Sequence, residues 1–155
     1  MMPSTSGDAP RSDLLPPGRD RFRPHGRTLL WADGALVHVL AEGPFNQEAA
    51  GEFSEAMVAL YRQLPAGQRF VNLTEFRTSM MATPEAWDLL ATHLARVDAS
   101  GLPLVATAWI ADDSVEGRRL FFPRAATLFA SRGRVFETFT DAAAAEAWAR
   151  RLLAS

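Results

Sequence analysis

Strand-then-helix units repeat along this chain from residue 69 to its end, and the last of them is the plainest. Val135-Phe136-Glu137-Thr138-Phe139 has the β-branched and aromatic content of a short strand. Thr140 stands where a cap belongs, and Asp141–Leu153 reads as an alanine-rich helix with Arg150 and Arg151 near its negative end. A chain that alternates in this way must cover a largely parallel sheet with its crossover helices, so the repeat selects an α/β architecture.

The remaining elements follow from breakers and periodicity. Thr28–Ala32 and Ala35–Ala41 flank Asp33-Gly34, a strong hairpin signal. After Gly43-Pro44-Phe45, Asn46 can cap a helix in which Ala49, Phe53, Met57, Leu60 and Leu64 repeat at helical spacing. Glu48, Glu52 and Glu55 lie on another face of that helix. Phe70-Val71-Asn72-Leu73 reads as a buried strand. Thr83-Pro84-Glu85 opens a helix whose stripe is Trp87, Leu90, Ala91, Leu94 and Val97, closed by Ser100-Gly101. Leu104–Trp109 is the next strand, and Asp113 or Ser114 is expected to cap a third helix that Pro123 should kink or divide. The order is ββαβαβαβα, a mixed sheet with one antiparallel hairpin.

Residues 1–26 hold five of the ten prolines and no apolar period, which makes them a proline-rich tail ahead of a single domain, 27–155. Leu14-Leu15 and Phe22 are the apolar residues of that tail; a docking motif and incidental residues are both open readings. The chain has no cysteine and no lysine; all sixteen basic residues are arginine. Disulfides, thiolate nucleophiles, Schiff bases and phosphate-loop lysines are thereby excluded. The arginine usage fits a GC-rich coding bias. A net charge of −2 gives no reason to expect nucleic acid. No apolar run approaches the roughly 20 residues that span a bilayer, and no secretory signal is visible, so a cytoplasmic location is expected.

The hairpin, the Gly43-Pro44-Phe45-Asn46 breakpoint, the Val71-Asn72-Leu73 strand end and the closing Phe136–Thr140 with Ala145-Glu146-Ala147-Trp148 together resemble the STAS-like superfamily, in particular its SpoIIAA-like branch. The resemblance covers about residues 27–153 and rests on apolar patterns. It implies a non-catalytic regulatory or protein-interaction module, with affinity for lipids or membranes as a further implication. Anti-sigma-factor antagonists of that superfamily are switched by phosphorylation of a serine in an Asp-Ser-Ser-Gly-like turn. The corresponding stretch here, Thr74–Thr83, lacks that turn and has no glycine. Ser79, with Thr78, is a candidate phosphoacceptor by neighbourhood only, so the switch does not carry over and a hydrogen-bonding loop is expected.

Among chemistry-bearing residues, His25, His38 and His93 have no metal-ligand spacing, and no Gly-x-Ser-x-Gly elbow supports a triad. No enzyme and no cofactor is expected. Asp112-Asp113 follows a strand, with Asn72, Glu75, Thr140 and Asp141 at comparable edges. Such carboxylates can hold Mg²⁺, or can merely neutralise helix N-termini. The most unusual stretch is 114–134, with five arginines (Arg118, Arg119, Arg124, Arg132, Arg134) against one acid, Glu116. Leu120, Phe121, Phe122, Leu128 and Phe129 span an arc too wide for one core stripe. Arg118, Arg119, Phe121, Phe122 and Arg124 are therefore a candidate surface for a protein partner, for a second copy of the chain in a homodimer, or for an anionic lipid or membrane surface. A small hydrophobic ligand held by the same helix is the rival function. A broken helix buried on two sides is the bland alternative. Met80 and Met81 offer an adaptable apolar contact beside it.

Overall fold

A computed structural model describes residues 26–155; the proline-rich tail with Leu14, Leu15, Phe22 and His25 lies outside the described residues. The elements run β1 (Arg27–Asp33), β2 (Leu36–Glu42), α1 (Gln47–Tyr61), β3 (Phe70–Arg77), α2 (Pro84–Ser100), β4 (Leu104–Ile110), α3 (Arg118–Ser131), β5 (Phe136–Phe139) and α4 (Ala142–Ala154). The order ββαβαβαβα is the one the sequence specifies. Strands lie side by side in chain order, β1 antiparallel to β2 and the others parallel.

Successive parallel strands that step in one direction through right-handed crossovers place their helices on one face. α1, α2 and α3 accordingly bury Met57, Leu60, Leu94, Val97, Phe121 and Phe129 in one large cluster with Leu30, Val37, Val39, Phe70, Phe76 and Trp109. α4 follows the last strand and crosses back over the other face. There Ala145 and Ala149 pack on Leu36, Val71, Leu73, Ala106, Ala108 and Ile110, with Phe139 and Trp148 at the margin. Alternation along the strands decides which residue joins which layer.

Local chemistry accounts for the boundaries, including five features that differ from expectation. The hairpin turns on Gly34-Ala35, with Asp33 and Leu36 as its closing pair; Gly34 has φ 60°, at the first central position where a type II′ turn requires glycine. β3 runs four residues past Leu73, because Thr74–Arg77 continue the register with Val39–Glu42 of β2. α3 starts only at Arg118: the Asp112 carboxylate takes the Ser114 N–H and hydroxyl, and Gly117 at φ 87° turns the chain into the helix with no side-chain cap. Pro123 sits inside α3 without dividing it. The lost hydrogen bond is offset by burial of Phe121, Phe122, Ala125 and Phe129 on either side of it. At α4 the cap is Asp141 and not Thr140, since Asp141 Oδ1 accepts the Ala144 N–H at 2.9 Å.

Candidate apolar binding site

Asn46 and Thr83 begin α1 and α2 by accepting the N–H groups of Ala49 and Ala86 at 2.9 and 3.1 Å. The loops that lead into these caps are stitched together: Gly43 N–H donates to the Ser79 carbonyl, Phe45 N–H to that of Met81, and Thr83 N–H to that of Phe45. The first turns of both helices are thus fixed side by side above the sheet. Helical spacing then aims Ala49, Ala50 and Phe53 from α1, and Ala86, Trp87 and Leu90 from α2, toward a common space. Strand alternation supplies the floor from Thr28, Ala41, Thr74, Phe76 and Trp109, and Phe45, Met80 and Ala82 complete the wall.

The result is an apolar cavity of about 110 Å³. Alanine occupies Ala41, Ala49, Ala50, Ala82 and Ala86, where leucine would fill the space. Phe76 and Trp87 meet Trp109 edge-on at 4.9 and 6.3 Å between ring centroids, so the floor and one wall are rigid aromatic surfaces. Thr28 and Thr74 are the only polar side chains in the lining, and neither hydroxyl makes a hydrogen bond among the described residues. Phe45, Ala50, Phe53, Ala82, Trp87 and Leu90 are half-buried, so they form the rim.

The 114–134 stretch is arranged differently from the expected surface. Phe121 and Phe122 are 2% and 8% exposed, and both belong to the core. Two adjacent aromatics are buried because α3 packs sideways on α2, Phe121 against Trp87 at 5.5 Å, as well as down on the sheet. Arg118 lies over Phe122 and donates to the Ala111 carbonyl at 2.9 Å; Arg124 lies over Trp87 and Phe121. Arg132 and Arg134 clamp Asp98 at 2.6 and 2.7 Å. Burial opposes ionisation of Asp98, but these two arginines outweigh it and hold the carboxyl below its ordinary value. Arg119 and Leu120 point to solvent. The aromatic rings are therefore packing partners, with the arginines as covers. Met80 lines the cavity, whereas Met81 packs its sulfur on Gly117, where any Cβ would come within 2.8 Å of it.

Ser79 is 1% exposed, and its hydroxyl accepts the Met81 N–H at 3.1 Å. Neighbouring backbone bonds to Gly43 and Glu116 hold it on both sides. The Ser79 hydroxyl is thus enclosed and hydrogen-bonded in this structure.

The ends of β4 and β5 lie side by side, but the edge residues do not assemble into one site. Asn72 lies in mid-strand, donating to the Tyr61 hydroxyl at 2.6 Å, with its own Oδ1 buried and unpartnered. Burial raises the Tyr61 phenol well above its ordinary pKa. Asp112 is spent on Ser114, which lowers its pKa, and Asp113 faces Arg118 at 3.5 Å. Among the described residues no group of three or more His, Asp or Glu could hold a metal ion. His93 is buried between α1 and α2, its Nδ1 2.9 Å from the Ser54 hydroxyl. Burial first, and the Arg96 charge second, push its pKa down to about 4. His38 stacks on Trp31 at 5.1 Å on the other face of the sheet, and burial lowers its pKa against the pull of Glu146.

Comparison of the chain with family models, with curated proteins and with solved structures finds no match. No helix among the described residues is long and apolar enough to cross a membrane. The class these features define is an α/β protein with a mixed five-stranded sheet and an apolar cavity between two helices and the sheet.

Proposed function

We propose that this protein is a non-catalytic, STAS-like regulatory module whose input is a small apolar molecule bound between α1, α2 and the sheet. The cavity carries the reading: a space of about 110 Å³ walled by aromatic rings, a methionine and alanines. Dry apolar cavities of about 150 Å³ admit benzene, so this one suits a small aromatic ring or a short alkyl segment. The two free threonine hydroxyls on the floor offer one or two hydrogen bonds to such a ligand and no charge. That chemistry favours a neutral molecule. It also moves ligand binding away from α3, where Phe121 and Phe122 are already used in packing. The superfamily resemblance supports the regulatory part of the reading, and the buried Ser79 supports control by ligand rather than by phosphorylation.

Native mass spectrometry of freshly purified protein tests it. The expected result is a retained small neutral molecule, released on denaturation and absent from Ala86→Leu, whose side chain occupies the space. Ligand-free protein that also takes up no member of a panel of small aromatics and short alkanes would overturn the reading.

A further inference from the structure

The sheet ends on one side in β5, four residues long, and on the other in β1, seven residues long, whose only strand neighbour among the described residues is β2. A long edge strand rich in apolar residues is a template for another strand unless charge or a bulge blunts it. β1 reads Arg27-Thr28-Leu29-Leu30-Trp31-Ala32-Asp33, a base at one end and an acid at the other, with Leu30 midway. Arg27 is almost free in solvent, 3.6 Å from Glu42, and Asp33 has no ion pair among the described residues.

Such a strand is complementary to itself. Laid antiparallel on its own copy with Leu30 opposite Leu30, it sets Arg27 opposite Asp33 twice, and Leu29 opposite Trp31 twice. Directly opposed side chains share a face and stand about 5 Å apart, close enough for both pairs to form. A shift of two residues sets Arg27 opposite Trp31 and leaves Asp33 unopposed, so charge selects the register. The outer face adds to this. α4 packs mainly on β3, β4 and β5, and only Ala142 and Glu146 of its first turns reach toward Trp31 and Leu40, so Leu29, Trp31 and Leu40 stay half-buried. In the paired arrangement these residues become one apolar strip across the two-fold axis.

We propose that β1 is a self-association edge, pairing antiparallel with β1 of a second copy about Leu30 to join two five-stranded sheets into one. The interface is isologous, so each pair occurs twice and each charge reversal is felt twice. The inference does not depend on the cavity.

Sedimentation equilibrium of the full chain over a range of concentrations tests it, with far-UV circular dichroism as the check on folding. Wild type is expected to dimerise. Arg27→Asp and Asp33→Arg, both at exposed positions, are each expected to weaken the dimer by about tenfold or more. The double variant Arg27→Asp/Asp33→Arg should return to within about threefold of wild type. An equimolar mixture of the two single variants should form heterodimers, because each supplies the charges the other lacks. Monomeric wild type at every concentration overturns the proposal. So does a dimer that the single reversals leave unchanged, or one that neither the double variant nor the mixture restores.

Discussion

The two faces of the sheet are packed on opposite plans. Under α4 the helix contributes small side chains: Ala145 and Ala149, both fully buried, share one cluster with Ala106 and Ala108 and with the aliphatic Leu36, Val71, Leu73 and Ile110, and no large ring is buried there. Under α1, α2 and α3 the contacts are large on large, with Trp109 touching Phe76, Trp87, Phe129 and Phe136 at ring separations of 4.9 to 6.3 Å. Alanines set among large rings do not close the gaps between them. The same residue type thus tightens one layer and hollows the other, depending on what stands opposite. Alanine against alanine is a close approach, and alanine against tryptophan is a cavity wall.

Breaking the aromatic layer has the largest expected effect. Trp109→Ala should cost about 3–5 kcal/mol in urea denaturation, since four rings lose their common partner. Trp148→Ala, half-buried beside α4, should cost clearly less. Equal losses would mean the two layers do not differ in the way described.

His93 probes the same layer through pH. Its folded pKa of about 4 lies below the ordinary value of 6.5, so the unfolded chain binds the extra proton between those values. Stability is therefore full above about pH 6.5 and falls as pH drops toward 4, by about 3 kcal/mol in total. His93→Gln should flatten that slope while keeping a partner for Ser54. A slope unchanged by the substitution would assign the pH dependence to other groups.

Side-chain enlargement separates the two faces most cleanly. Ala145→Leu, on the close-packed face, should destabilise by about 1–3 kcal/mol through overpacking. Ala86→Leu, on the cavity wall, should change stability by less than about 1 kcal/mol in either direction, because space for the added carbons exists. A large loss at both positions would show that the inner layer is as full as the outer one.

Much of the fold was legible in the sequence because it depends on local signals. Asp-Gly marked the hairpin, and Asn46 and Thr83-Pro84 marked two helix starts that the structure reproduces as side-chain caps. The errors lie where tertiary context outweighs local preference. Thr74–Arg77 became strand because two neighbouring strands were present to pair with it, and Pro123 stayed helical because buried aromatics hold both sides of α3. Charge and aromatic content at 114–134 pointed outward, but a helix that meets α2 on its flank and the sheet beneath it buries two adjacent rings. The cavity left no linear trace. Its alanines come from a strand, two helices and a loop, and none marks a cavity until Trp87 and Trp109 stand opposite.

The most direct measurement is a benzene titration followed by methyl carbon–proton NMR, with Ala86→Leu as the comparison. Saturable shifts at the methyl groups of Ala49, Met80 and Ala86, with none at Ala145 and Ala149 across the sheet, are the expected result, and the Ala86→Leu protein should show no saturable shift at Ala49 or Met80. Shifts that do not saturate, that spread evenly over both faces, or that persist unchanged in Ala86→Leu would contradict an apolar binding site beneath α1 and α2.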